Sequence, residues 1–156
     1  MSRPAVADFV DSFFTNTLFQ ADDKLAASVL ATELASDANI VVRCLLPPLT
    51  QFPCSDYLSI KINGTSLTGS DFVNLITTQF RSAFSASIVE IKDLNIATTN
   101  DSGSTGVVGQ WTAYVTKGKE DGKEIKQSAT TIVKVEERDG KNVVTGLWEA
   151  QTVEES

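Results

Sequence analysis

Three side chains in this sequence are the main candidates for acid–base or electrostatic chemistry. Arg43 ends an otherwise apolar segment, where a guanidinium can clamp a carboxylate or an enolate, or stabilise a developing oxyanion. Tyr114 carries a phenol that can donate to a substrate carbonyl and act as a weak acid. Asp37 can serve as a base. Structural roles compete with each of these: a surface or interface ion pair for Arg43, an interface position for Tyr114, and a turn or cap for Asp37.

The chain contains no histidine. This excludes a histidine general base and any histidine-containing metal site. The two cysteines, Cys44 and Cys54, are predicted to be reduced thiols. Only Cys44 has a basic neighbour, Arg43, so a nucleophilic cysteine is not favoured. We therefore expect no cofactor and no metal, and any catalysis would rely on Arg, Tyr, Asp, Glu or Lys.

Aromatic side chains are the candidates for contact with a ligand. The segment Leu45–Ser55 contains three prolines, which exclude regular structure, and its apolar residues suggest a loop that covers a hydrophobic surface. The two tryptophans occur on strand faces that also carry small residues, so they are predicted to form a pocket wall. The predicted ligand-binding residues are Phe14, Phe52, Tyr57, Trp111 and Trp148.

Helical periodicity is confined to three segments. Apolar residues recur at helical spacing in each, which gives every helix one apolar face. Asp22 or Asp23 is predicted to cap the second helix, and Ser70 or Asp71 the third. The predicted helices are Ala5–Phe19, Lys24–Leu34 and a third that ends at Ala83.

The last third of the chain predicts three consecutive antiparallel strands. Two Asp-Gly pairs, at 121–122 and 139–140, separate segments rich in β-forming residues, which is typical of β-hairpins. Shorter strands are predicted at Ala38–Cys44, Tyr57–Ile62 and Ser87–Thr98. The three C-terminal strands are Val107–Lys117, Ile125–Glu137 and Val143–Thr152. Together with the helices they predict an α+β domain, with a curved mixed sheet wrapped around three helices.

Alternation within the strands predicts which side chains face the helices. Small residues at 109, 129, 146 and 150 would leave room for a cavity that binds a small apolar ligand. Glu136 and Glu149 are assigned to a solvated face. A polar and aromatic face of the first C-terminal strand either lines the pocket or meets a partner: Val108, Gln110, Thr112, Tyr114 and Thr116. The set predicted to face the helices in the last strand is Val144, Gly146, Trp148 and Ala150; in the strand before it, the set is Ala129, Thr131, Val133 and Val135.

Composition limits the classes of partner. The chain has 156 residues, 42% hydrophobic and 21% charged, which is ordinary for one globular domain spanning residues 1–156. Its net charge of −7 argues against nucleic acid and anionic membrane surfaces. No apolar window is long enough to span a bilayer, and the N-terminus does not resemble a secretory signal, so we expect a cytoplasmic protein.

Four stretches of sequence carry a resemblance to a known family. They are residues 34–43 (LASDANIVVR), residues 63–72 (NGTSLTGSDF) and the closing hairpins around Asp121-Gly122 and residues 139–148 (DGKNVVTGLW). This arrangement resembles the nuclear transport factor 2-like superfamily, which includes ketosteroid isomerase, scytalone dehydratase and SnoaL-type polyketide cyclases. The resemblance implies a cone-shaped α+β fold that encloses a pocket.

The resemblance also shows what this chain lacks. The ketosteroid isomerase general base falls near Val42, and its helix-1 tyrosine falls near Phe14, so neither catalytic group is present. Two hypotheses remain. The first is a cofactor-free isomerase, cyclase or dehydratase acting on a hydrophobic small molecule, such as a secondary-metabolite intermediate. The second is a non-catalytic scaffold module that binds a protein partner. Both predict a homodimer through the open sheet face, which would bury Val108, Thr112, Tyr114, Ile132 and Leu147.

Overall fold

The computed structural model describes residues 2–44 and 66–153. Two of the predicted ligand-binding residues, Phe52 and Tyr57, lie outside the described residues, as do the predicted loop Leu45–Ser55 and the predicted strand Tyr57–Ile62. For Arg43 the structure describes the backbone, which belongs to the first strand.

The elements follow one another in the predicted order. The helices are α1 (Ala5–Leu18), α2 (Asp23–Glu33) and a composite third helix. This third helix consists of α3 (Gly69–Asn74), a π-helical segment (Leu75–Phe80) and a last turn, α4 (Arg81–Ala83). The strands are β1 (Leu34–Cys44), β2 (Phe84–Thr98), β3 (Gly106–Gly118), β4 (Glu124–Arg138) and β5 (Lys141–Val153). In the described residues, no helix is long and apolar enough to cross a membrane.

The helix caps agree with the prediction at α2 and differ at α3. The Asp22 side chain accepts hydrogen bonds from the backbone N–H groups of Lys24 and Leu25. At α3 the cap is Thr68, not Ser70 or Asp71. The Thr68 hydroxyl accepts from the Asp71 N–H at 3.2 Å, and the Asp71 carboxylate accepts from the Thr68 N–H at 3.1 Å. This reciprocal pair is a capping box, in which Asp71 occupies the third helical position.

A buried arginine fixes the composite third helix against the first two. The Arg81 guanidinium donates to the backbone carbonyls of Thr17 and Gln20 at 2.9 and 3.0 Å, and pairs with Asp23 at 2.8 Å. The guanidinium therefore satisfies carbonyls at the turn between α1 and α2, which have no partner within a helix. These bonds hold the third helix in place beside the sheet.

The five strands form one mixed sheet in the order β1-β5-β4-β3-β2. β1 pairs with β5 in parallel, and all other pairs are antiparallel. Asp139 and Gly140 both have positive φ, 52° and 76°, and connect β4 to β5 as the Asp-Gly signal predicted. Register shifts in β2 and between β4 and β5 bend the sheet, because a bulge increases local twist.

The predicted inner face of β4 is confirmed, whereas that of β5 is correct at Val144 and wrong from Gly146 onward. Val133 and Val135 pack in the core, and Ala129 and Thr131 line the space beside it. In β5, pairing shifts between Val144 and Gly146, so that Thr145 is an extra residue opposite β4. An extra residue reverses the alternation beyond it. The inner face therefore continues through Leu147, Glu149 and Gln151, whereas Trp148 points outward.

The same geometry corrects the residues expected in a dimer interface. Val108 and Leu147 are completely buried in the core, and Thr112 and Tyr114 line the cavity of the fold. Only Ile132 of the five lies exposed on the outer face, where it pairs in register with Trp148. A homodimer through the outer face would consequently use these two residues, and it stays a prediction.

Candidate functional site

A cavity lies between the concave face of the sheet and the helices. Its volume is about 100 Å³. Six aromatic rings line it: Phe14, Phe19, Phe72, Phe80, Phe84 and Tyr114. Its polar lining comes from seven further side chains: Gln79, Thr112, Thr116, Gln127, Thr131, Glu149 and Gln151. Such a lining, mostly apolar with a few polar groups, is typical of a small-molecule site.

Strand register arranges the inner face of β3, β4 and β5 in rows. The first row, Val108–Val133–Leu147, is completely buried and belongs to the core. The next row is polar throughout and consists of Gln110, Thr131 and Glu149. The third row is Thr112–Ala129–Gln151. The fourth row contains Tyr114 and Gln127.

The change from an apolar row to a polar row marks the end of the cavity next to the core. Thr131 and Glu149 line the cavity, and both belong to the polar row. Ala129 in the third row adds little volume, which leaves room in front of them. Of the four small residues that were predicted to leave room for the cavity, Ala129 lines it. The other three, Gly109, Gly146 and Ala150, do not line it.

Glu149 is a carboxylate within an aromatic cavity. Burial raises its pKa above the ordinary value, and a hydrogen bond from the Gln151 side-chain amide partly offsets that rise. Among the side chains that the structure describes, which exclude that of Arg43, no lysine or arginine forms a salt bridge with it. A carboxyl group whose charged form is disfavoured is a better proton acceptor than an exposed one.

Tyr114 lies two rows from Glu149 and is nearly buried, at 7% exposure. Its ring packs edge-on against Phe19, with 5.6 Å between centroids. Burial raises its pKa strongly, and the negative charge of Glu149 raises it further. The phenol thus keeps its proton at any working pH and serves as a hydrogen-bond donor.

Asp37 lies away from the cavity, contrary to its predicted role as a base. Its exposed carboxylate pairs with Arg138 at the β4–β5 hairpin, at 2.6 Å. The hydrogen bond from Arg138, followed by its positive charge, lowers the Asp37 pKa. A paired, more acidic carboxylate on the surface is a poor proton acceptor, so the structural explanation fits this residue better.

The two tryptophans lie on the outer face and do not line the cavity. Trp111 pairs with Thr130 and Lys92, and the Lys92 ammonium lies 5.1 Å from its ring centroid. Trp148 is 38% exposed. Their positions follow from the alternation of β3 and from the bulge in β5. A direct ligand contact for either tryptophan is consequently not supported.

Phe14 does line the cavity, as does Val42. These are the two positions on which the resemblance placed a tyrosine and a general base. Val42 is the parallel-sheet partner of Glu149. The carboxylate in this chain therefore comes from the strand next to the one on which the resemblance placed the ketosteroid isomerase base.

Sequence reasoning missed Glu149, Thr131 and Gln127 as site residues. The missing signal was the cross-strand register, which places Glu149 opposite Thr131 on the confirmed inner face of β4.

No group of three or more Cys, Asp or Glu side chains that could hold a metal ion occurs in the part of the chain that the structure describes.

Comparison with solved structures places this architecture among known folds. A conserved protein from Planctomyces limnophilus aligns over 95% of this chain and 98% of its own, with a TM-score of 0.62 and 10% identity. A hexachlorocyclohexane dehydrochlorinase, LinA type 2, aligns over 97% and 87%, with a TM-score of 0.57 and 12% identity. A protein of cystatin-like fold from Caulobacter vibrioides aligns over 97% and 88%, with a TM-score of 0.54 and 13% identity.

The chain has the nuclear transport factor 2-like cone fold. At these low identities the likeness concerns the fold alone, and fold does not determine function. No protein-family model and no curated protein matches the chain. Function must therefore be argued from the cavity of this cone.

Proposed function

We propose that this protein is a cofactor-free enzyme that transfers a proton within a hydrophobic small molecule. The reaction class is isomerisation, ring closure or loss of water. One observation carries the proposal: the Glu149 carboxyl group, which pairs with no cationic side chain that the structure describes, lines a cavity whose other walls are mostly apolar. Charged residues are rarely buried without a partner unless they perform a task that needs them there.

The mechanism assigns separate roles to Glu149 and Tyr114. Glu149, in its ionised form, accepts a proton from a carbon next to a substrate carbonyl. The electron pair of the broken C–H bond forms an enolate, and the Tyr114 hydroxyl donates a hydrogen bond to its oxygen. Protonated Glu149 then returns the proton to a different carbon, which completes an isomerisation. In a dehydration it would instead protonate the departing hydroxyl group.

The raised pKa of Glu149 supports this role. An efficient general base has a pKa near the working pH, and burial moves this carboxyl group in that direction. The aromatic walls would exclude water and hold the substrate in one orientation, which lowers the entropic barrier to ring closure. That one solved structure of this fold is named a dehydrochlorinase supports including eliminations among the reactions tested.

Further assignments of residues, substrate class, compartment and oligomeric state belong to this proposal. Arg43, which follows Val42 of the cavity wall, would stabilise the enolate from the end of β1. Tyr57 and Phe52 would contact the substrate from the segment after β1. The substrate would be a secondary-metabolite intermediate, and the protein would act in the cytoplasm as a homodimer.

The experiment measures proton abstraction directly, without knowledge of the final product. trans-2-Decalone is incubated with the protein in D₂O, and deuterium incorporation next to the carbonyl is followed by NMR. We expect catalysed exchange in the wild type and a loss of about 10²- to 10⁴-fold in Glu149→Gln, the usual contribution of a general base.

Glu136→Gln is the matched control, since Glu136 lies on the neighbouring strand and is exposed, paired with Lys134 at 3.0 Å. Its exchange rate should equal that of the wild type. Binding of the ketone without exchange, or exchange that survives in Glu149→Gln, would show that Glu149 is not the base.

The second candidate function is the non-catalytic scaffold module. The exposed pair Trp148 and Ile132 on the outer sheet face favours it, since large apolar side chains at a surface commonly mark contact sites. This function does not use the cavity, so it predicts that Glu149→Gln leaves partner binding unchanged.

A further inference from the structure

The polar row contains a buried hydroxyl group that the mechanism above does not use. Thr131 is 4% exposed, lines the cavity, and its Oγ1 atom has no hydrogen-bond partner in the part of the chain that the structure describes. Buried polar groups in proteins nearly always have partners, and an exception calls for an explanation.

The neighbours of Thr131 explain why none of the described groups around it satisfies its hydroxyl. Its partner on β3, Gln110, donates from its amide nitrogen to Asp11 at 2.6 Å and to Asp93 at 3.1 Å. Its partner on β5, Glu149, accepts from Gln151 instead. Along β4 the next inward residues are Ala129 and Val133, which offer no polar side-chain atom. The Gln110 amide nitrogen and one Glu149 carboxylate oxygen are thus engaged elsewhere.

The position of Thr131 shows which part of a ligand would reach it. It lies in the polar row at the core end of the cavity, one row beyond the completely buried Val133. A ligand that fills the cavity as far as this row would place its innermost group against the Thr131 hydroxyl. Because the hydroxyl both donates and accepts, it can pair with a hydroxyl or a carbonyl oxygen.

We propose that Thr131 is a substrate-binding residue, and that the substrate is a neutral, mostly apolar molecule with an oxygen at its innermost end. The inference rests on the proposed function, because it takes the bound ligand to be the molecule from which Glu149 removes a proton. It adds a second polar group to the substrate, besides the carbonyl that Tyr114 would contact. It also assigns the orientation: the extra oxygen lies toward the core.

Binding affinities of a matched ligand set test this proposal. The set is trans-2-decalone and its monohydroxy derivatives, with one hydroxyl at each free ring carbon in turn, so that the position of the oxygen is sampled. Dissociation constants are measured by ligand-observed NMR in ordinary water. In the wild type we expect at least one derivative to bind about fivefold to tenfold more tightly than the parent ketone, the usual effect of one added hydrogen bond.

Three variants identify the partner of that oxygen. Thr131→Val keeps the shape but removes the hydroxyl, and it should reduce the preference to less than about twofold. Thr131→Ser keeps the hydroxyl and should retain the preference. Thr130→Val alters the adjacent exposed residue on the outer face and should behave as the wild type. The melting temperature of ligand-free Thr131→Val should not fall, because the Thr131 hydroxyl forms no hydrogen bond with the described residues.

The outcomes separate this inference from the proposed function. If no derivative binds more tightly than the parent, or if the preference survives in Thr131→Val, the assignment of Thr131 is wrong. Deuterium exchange with the parent ketone is measured independently. Exchange that depends on Glu149 without any effect of Thr131 would leave the proposed function standing alone. A preference that depends on Thr131 without exchange would leave only the binding site.

Discussion

Glu149 and Trp148 are consecutive residues of β5 with opposite environments. The carboxylate of Glu149 lines an aromatic cavity, whereas the indole of Trp148 is 38% exposed on the outer face of the sheet. Stability alone would favour the reverse arrangement, because burying an indole is favourable and burying an unpaired carboxylate is costly. The inversion supports the proposal that the inner face of this sheet serves binding or catalysis at the expense of stability.

The rows of the inner face localise this difference. The core row Val108–Val133–Leu147 is completely apolar, and the adjoining row introduces three polar side chains at once. Within that row, the Gln110 amide nitrogen donates to Asp11 and Asp93, which also pair with Arg3, and Glu149 accepts from Gln151. Thr131 and Glu149 face the cavity. A polar row with two members directed at a ligand space differs from a structural network, in which every member is satisfied.

After Glu149→Gln, Tyr114→Phe is the inner-face substitution expected to slow deuterium exchange the most. Removing one hydrogen-bond donor from a developing oxyanion typically reduces turnover by about 10²- to 10³-fold. We expect a loss near the lower end of that range in deuterium exchange, because Glu149 remains. The phenylalanine ring keeps the edge-on contact with Phe19, so unfolding in urea should change little.

Phe19→Leu is the control for Tyr114→Phe, since it alters the ring contact and leaves the hydroxyl in place. A similar loss of exchange in both variants would mean that ring packing, and not the phenol, supports the reaction.

The pH dependence of stability distinguishes a buried carboxylate from an exposed one. Burial raises the Glu149 pKa in the folded state, so over the interval between the unfolded and folded pKa values the folded protein holds a proton that the unfolded chain has lost. The free energy of unfolding should therefore fall as the pH rises through this interval, and then level off. Glu149→Gln should lack this component and become the more stable protein at the higher pH.

Other groups titrate over the same range, so the difference between wild type and variant is the quantity to measure. Lowered pKa values at Asp37, Asp93 and Glu136 act in the opposite direction, and Glu33 acts in the same direction as Glu149. Urea unfolding of both proteins from about pH 4 to about pH 8 cancels these common contributions. Parallel curves would show that Glu149 is solvated in the folded protein.

The sequence predicted the architecture better than the site, for a physical reason. Local signals determine the helices and hairpins. Asp22 caps α2 by accepting hydrogen bonds from the backbone N–H groups of residues two and three positions later. Asp139-Gly140 forms a turn that involves only adjacent residues. The alternation of β4 also predicts its inner face, because no bulge in that strand interrupts it between Ala129 and Val133.

The site depends on contacts between residues distant in sequence, which periodicity does not contain. The extra residue Thr145 reverses the inner face of β5, and that reversal exchanges Trp148 for Glu149 in the cavity. The pairing of Asp37 with Arg138, across 101 positions of sequence, likewise removes Asp37 from the candidates for a base. The register of β5 would have corrected the assignments of Trp148 and Glu149, whereas the error at Asp37 required knowledge of its contact with Arg138.

Trp148→Gln gives the smallest predicted effect on the cavity and the sharpest contrast with its neighbour. The indole lies along the outer face over Gly146, where an added Cβ would come within 2.8 Å of the ring. Its loss should change the free energy of unfolding by no more than about 1 kcal/mol, as for most exposed positions, and leave deuterium exchange unaltered. If the outer face forms a homodimer, the dissociation constant of the dimer, measured by sedimentation velocity, should be about tenfold or more higher for the variant than for the wild type. A wild type that sediments as a monomer would refute the dimer, whereas slower exchange in Trp148→Gln would mean that the two faces are not independent.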